Sequence, residues 1–379
     1  MLKIPSLLLV ILTIMLHVNC SNKKKTATHV KTTSVENNSI PLTIGTYTKE
    51  SSEGIYQADF NTETGEISNL KLLVKVQEPS FLELTKDREK LYAVSEIDEG
   101  KLSVFKKDKD GSYELNQDIS TEGSTTCHVT LNKDESLVSV ANYRKGSVTV
   151  YKNSSDKLEI LTSFKHEGSS VHFRQKVSHP HSTYFSKDEK YIYVPDLGTD
   201  EILSYPIVKG VPQKGKVAIK MNPGDGPRHM ALHPTKNMWF VVGEISSVVW
   251  TLLPKPDGTF EVIDQQKLLP NGLKGRSTAA DIHISPNGKY LYTSNRGHKD
   301  GYHCISVFKI LDSGKLELKG HVSTGINQPR NFTLSPDGQF LLVANQYGDN
   351  IIVFKVKSDG MLELTEHTAN ISMPVCLKF

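Results

Sequence analysis

A short segment, Pro-x-x-apolar-x-apolar in its fullest form, returns seven times along this chain, opening at Pro79, Thr126, Pro180, Pro227, Ala279, Pro329 and Pro374. Each copy but the last, which ends the chain, runs into a turn containing Lys, Asp, Pro or Gly and then into a second apolar run that ends on a polar residue. The spacings of 47, 54, 47, 52, 50 and 45 residues match one four-stranded propeller blade, and no useful helical period interrupts them. The pattern predicts an all-β chain, a seven-bladed β-propeller of four-stranded antiparallel blades. Repetition also sorts residues. What every copy shares serves the blade, and what only some copies carry is where function is to be sought.

The copy that opens at Pro227 shows the unit. Arg228 to Leu232 form a first strand, Met238 to Gly243 a second, Ser247 to Leu253 a third and Phe260 to Leu268 a fourth, each bounded by turn residues such as Pro256-Asp257-Gly258. The two ends of the repeat are out of phase: the chain enters on a second strand, Leu42 to Tyr47, and finishes on a lone first strand, Val375 to Phe379. The C-terminal strand is therefore expected to complete the first blade, closing the ring and removing two exposed sheet edges. The repeat makes residues 40–379 one domain.

Residues 1–20 stand apart. Lys3 precedes an apolar run, Ile4 to Val18, too short for a comfortable membrane span and of secretory length, and Cys20 follows. The stretch resembles a bacterial lipoprotein signal, which implies export, a lipid on Cys20 and a periplasmic domain held at a membrane by that anchor alone; a plain signal peptide or an uncleaved anchor would export the chain equally. Residues 21–39, rich in Ser, Thr, Asn and Lys, are expected to form a disordered tether. The first 39 residues hold five lysines and one glutamate, so the domain has 40 basic and 41 acidic residues and no charge excess to attract nucleic acid. Cys127, Cys304 and Cys376 are too few and too scattered for a disulfide framework or a zinc site. No cofactor, metal or partner chain is expected, and the domain is expected to be a monomer.

In an antiparallel blade the start of the first strand and the end of the second share one rim. Second strands end on Thr46, Glu96, Asn142, Asp196, Glu244, Asn295 and Asn345, and first strands begin with His128, His181, Arg228, His229, Asp281 and Arg330. Of 7 arginines against 38 lysines, only Arg88 falls away from this rim. A guanidinium is the better fork for carboxylate or phosphate, so arginines gathered at one mouth point to a small anionic ligand. The amides Asn142, Asn295 and Asn345 can equally hold blades in register. The connection from His166 to Pro180, which carries Arg174, lies on the mouth side and could act as a lid or be a plain surface loop, whereas His233 and His283 are expected to be structural.

Specific strings carry a resemblance. Gly226-Pro227-Arg228-His229, Ala280-Asp281-Ile282-His283, Ser294-Asn295-Arg296-Gly297 and Gln328-Pro329-Arg330-Asn331 are similar to those of the seven-bladed propeller lactonases, which include 6-phosphogluconolactonases and carboxymuconate-lactonizing enzymes. The likeness runs from about Ile40 to Phe379. It implies a site in the central funnel lined by His181, Arg228, His229, Glu244, Arg296 and Arg330, with a sugar lactone as substrate; Glu244, His181 and Arg228 are the expected catalytic residues, and His229, Arg296, Arg330 and, from its place on the rim, Asn345 are expected around the substrate.

For such a reaction Glu244 or His181 would take a proton from water while Arg228 or Arg330 stabilises the oxyanion. No Ser-His-Asp arrangement or Gly-x-Ser-x-Gly elbow is present, which favours direct attack by water. Two other readings stay open: a metal-dependent sugar lactonase using Glu96, Asp196 and Glu244, and a lipid-anchored module that binds a sugar acid without turning it over.

Overall fold

The computed structural model describes residues 38–154, 157–273, 275–299 and 301–379; the expected signal segment and nearly all of the expected tether lie outside them. The described residues form seven antiparallel blades. The innermost strands, which line the axial channel, are Pro374–Lys378 in blade I, Pro79–Leu84 in II, Thr126–Leu131 in III, Tyr184–Phe185 in IV, Pro227–Leu232 in V, Arg276–Ile284 in VI and Pro329–Leu334 in VII.

Blade I is the closure that the out-of-phase ends predict. Pro374–Lys378 pairs antiparallel with Ser39–Thr46, setting Ile44 opposite Leu377 and Gly45 opposite Cys376. One core cluster then joins Leu42, Ile44, Phe60 and Leu377 of blade I to Phe340, Leu342, Ile351 and Val353 of blade VII. Each such side chain contributes roughly 1.5–3 kcal/mol on burial, so the seam is held by apolar packing as well as by strand pairing.

Two blades depart from the plan. Blade IV keeps only an isolated bridge, Pro180 to Asp196, and the short Tyr184–Phe185 pairing for its inner strand. In blade VI the first two strands run on past the rim, pairing Arg276 with His298 and Thr278 with Arg296. Asn295 therefore lies within a strand and not at its end.

The inner strands share a device that the repeat does not disclose. Each carries one more residue near its start than the second strand opposite: Pro79 and Phe81 face Ser95 and Val94, and Pro329 and Asn331 face Asn345 and Ala344, leaving Ser80 and Arg330 extra. The same irregularity falls at Thr126/His128, Pro227/Met230, Ala279/Ile282 and Pro374/Gly45. In blade IV three residues, His181 to Thr183, oppose two. A β-bulge re-aims a side chain, and here it brings the residue after each opening position to the axis: Ser80, Cys127, Arg228, Arg330 and Val375 border one narrow void there. Five of the strands are entered through a left-handed residue, at Glu78, Thr125, Gly226, Gln328 and Met373. Four of these are not glycine, a backbone choice that costs of order 1 kcal/mol or more each and that the surrounding turns must enforce.

Candidate active site

The bulge layer and the second-strand ends meet at the mouth in one charged cluster. Glu244, which follows the second strand of blade V, is almost wholly buried. Its Oε2 accepts from Arg228 Nε at 2.8 Å, while its Oε1 lies 2.6 Å from Arg174 Nη1 and 3.2 Å from Arg296 Nη2. Burial pushes the Glu244 carboxyl up, but Arg296, Arg174 and Arg228 outweigh it and hold the group well below the carboxylate range. Across the mouth, Glu96 Oε2 accepts from Arg330 Nη2 at 2.8 Å and from the Tyr47 hydroxyl at 2.7 Å, and the Arg330 guanidinium sits 5.0 Å over the Tyr47 ring. Four guanidiniums thus share two carboxylates.

The arginines divide by depth. Arg228 is 1% exposed and braces the site from beneath, its Nη1 donating to the Ala280 carbonyl. Side chains of Arg174, Arg296 and Arg330 are 31%, 11% and 12% exposed, so a ligand meets these three first. Arg296 donates Nη2 to the Ala279 carbonyl and leaves Nε buried without a partner. Burial, partly offset by Glu244, lowers its pKa to about 10, so it stays charged near neutral pH.

His181 and His229 form the floor. The His181 Nε2 is 4.0 Å from Glu244 Oε2, and the two imidazoles meet edge to face with centroids 5.4 Å apart. Burial first, then Arg228 and His229, hold His181 well below its ordinary value. Burial and Arg228 lower His229 to about 4 even though Asp281 pulls it upward. Both rings are neutral at physiological pH.

Asn345 is not brought to this group. Its Nδ2 donates to the Gly325 carbonyl and to Asn350 Oδ1, and its Oδ1 accepts from Asn327 N–H. Both amide N–H groups and one oxygen lone pair are used in holding a loop and the side chain is fully buried, so the structure places Asn345 in the frame and not in the binding role expected of it. Asn142 is similarly engaged, by Thr126, Ser147 and Thr121, whereas both amide atoms of Asn295 are buried without partners. His233 accepts backbone N–H groups of Thr235 and Lys236 at Nδ1, a turn-holding role.

The His166–Pro180 connection places Arg174 over the mouth, where its Nη2 also donates to the Tyr143 hydroxyl at 3.3 Å. His166 on the same segment serves the frame: its Nδ1 lies 2.8 Å from Asp196 Oδ2 and its Nε2 2.6 Å from the Tyr205 hydroxyl. Asp196 is thereby committed to His166, Ser178 and backbone N–H groups. With Glu96 and Glu244 held by arginines, the three acids that a metal site would need are engaged separately. Among the described residues no group of three or more His, Cys, Asp or Glu is arranged to hold a metal ion.

Nothing in the sequence assigns Tyr47, Tyr143 or Phe81 to the site, and Arg174 is marked there only as a rim arginine on the His166–Pro180 connection. Tyr47 and Tyr143 directly follow strands and Phe81 reads as an ordinary apolar strand position, so none carries a signal of its own, and a long-range partner across the ring has none at all.

The mouth concentrates arginines around two carboxylates and two neutral imidazoles, an arrangement that can hold an anion and accept a proton. The model of the family described as "Lactonase, 7-bladed beta-propeller" matches residues 41–379, and the chain belongs to that family. A 6-phosphogluconolactonase of Bacillus subtilis is 33% identical over 344 residues, covering 89% of this chain and 97% of its own. One from Formosa agariphila is 34% identical over 327 residues, covering 82% and 91%. The structure of a periplasmic gluconolactonase of Pseudomonas aeruginosa superposes with a TM-score of 0.83 at 28% identity, over 89% of this chain and 98% of that one. The protein is a lactone-hydrolysing enzyme.

Proposed function

We propose that the substrate is an anionic sugar lactone of the 6-phosphogluconolactone type, opened by direct attack of water at the mouth of the channel. The observation that carries this reading is the charge balance: four guanidiniums against two carboxylates leave an excess that a phosphate or carboxylate on the substrate would neutralise. Arg174, Arg296 and Arg330 hold the anion and the lactone carbonyl, and Arg228 adds fixed positive charge from below as the oxyanion forms. Glu244 acts through the arginines. With both oxygens engaged by guanidiniums it is a poorer proton acceptor than the neutral imidazoles of His181 and His229, so the water's proton goes to one of these.

The test is hydrolysis of 6-phosphogluconolactone, gluconolactone and muconolactone by the purified chain, corrected for spontaneous opening. The phosphorylated lactone should be preferred by about tenfold or more in kcat/KM, with the gap shrinking as ionic strength rises. Equal or faster opening of gluconolactone would overturn the anionic assignment, and loss of activity in EDTA would revive the metal-dependent reading. We also propose that the enzyme is exported, carries a lipid on Cys20 and works as a monomer. Cys20→Ser should then move it from the membrane to the soluble fraction, as one species of single-chain mass.

A further inference from the structure

Behind the imidazole floor the channel opens again. A cavity of about 540 Å³ lies toward the opposite end, bordered by Phe81, His128, His229, Asp281, Thr333 and Lys378 among others. His229 also borders the narrow void that Arg228 and Arg330 line, so its ring, with Phe81 and Asn331, stands between the arginine layer and the rear cavity. Its orientation is set by a buried carboxylate: Nδ1 lies 2.8 Å from Asp281 Oδ1. Asp281 is itself pinned, with Oδ2 accepting from His283 Nε2 at 3.0 Å and from Asn331 Nδ2 at 2.5 Å. An ionised carboxylate only accepts, so His229 carries its proton on Nδ1 and presents Nε2 as a lone pair. That nitrogen has no protein partner among the described residues.

We infer that His229, oriented by Asp281, is the general base of the reaction and draws its water from the rear cavity, while the lactone enters from the mouth. The inference rests on the hydrolytic reading above. Water loses a proton to His229 Nε2 as its oxygen bonds to the carbonyl carbon. The tetrahedral intermediate then collapses, the bond from carbonyl carbon to ring oxygen breaks, and the imidazolium returns the proton to that oxygen. The products are the open hydroxy acid, which ionises to solvent, and a neutral His229. Asp281 stays ionised throughout and is a positioning residue. Separate entry explains why the mouth can be filled by paired charge: water need not pass the arginines.

The experiment uses the full chain and 6-phosphogluconolactone. His229→Gly should lower kcat about 100-fold or more with KM changed less than about threefold, and added imidazole, small enough for the rear cavity, should restore part of the rate. Thr333→Phe, which crowds that cavity away from the chemistry, should lower kcat several-fold and abolish imidazole rescue in the double variant. Asp281→Asn offers an amide that can donate to Nδ1 and force the proton onto Nε2, so kcat should fall about tenfold or more. Any remaining acid limb of its kcat profile should move to lower pH, because the carboxylate is what raises His229 against Arg228 and Arg330, with His128 and His181 the other titratable rings facing it. A folded His229→Gly retaining kcat within about threefold, or His181→Gln showing the larger loss, would overturn the assignment; lack of rescue by imidazole would overturn the rear route. Wild-type protein that fails to open the lactone would instead sink the substrate reading and leave these comparisons to be made on whichever lactone it does open.

Discussion

The two ends of the channel are built from the same seven strands and treat charge in opposite ways. At the mouth, Arg228 and Glu244 are buried and the cluster carries more guanidinium than carboxylate. At the rear, Glu83 and Lys378 make one balanced pair at 2.8 Å with each side chain just over a quarter exposed. Buried like charges are costly unless something compensates them, and a partly exposed balanced pair contributes about 0–1 kcal/mol. The mouth is therefore the end where structure has been given up to bind something, and the rear is a solvated opening. Bulge residues divide along the same logic: His181, Arg228 and Arg330 reach into the axis, while Ser80, Cys127, Ala280 and Val375 are small enough to leave them room.

The contrast can be broken at either end. The largest effect is expected from Arg228→Ala, which removes a buried donor from Glu244 and the fixed charge beneath the carbonyl: kcat/KM should fall about 10²–10³-fold, measured alongside circular dichroism to show that the propeller still forms. A rate within threefold of wild type would remove the mouth from the chemistry. Arg174→Ala comes next. If the His166–Pro180 connection works as a lid through this guanidinium, KM should rise about tenfold with kcat within a few-fold, and a kcat loss without a KM change would instead place Arg174 in the chemical step. The smallest effect should follow Lys378→Met, where activity stays within about twofold and the melting temperature changes by no more than a few degrees; a large activity loss would show that the rear pair belongs to the site.

Much of this contrast was legible in the chain. The seven openings, the out-of-phase ends and the gathering of arginines on one rim all follow from order along the sequence, because a strand alternates with period two and a blade repeats at fixed length. The His229–Asp281 pair was visible only as two residues on different blades, 52 positions apart, with no pattern to join them. Asn345 misled for a related reason: its position at a strand end is shared with Glu244 through the neighbouring segment, but hydrogen bonds to Gly325, Asn327 and Asn350 decide its use.

The sequence by itself determined the ring, its seven-fold count and its closure, since these depend on local hydrophobic periodicity and turn chemistry. Only the tertiary structure decided what the polar residues do. The bulges that turn opening-plus-one residues onto the axis, the three guanidiniums that hold Glu244, and the carboxylate that sets the tautomer of His229 arise where strands from different blades converge, and convergence in space leaves no period in the chain.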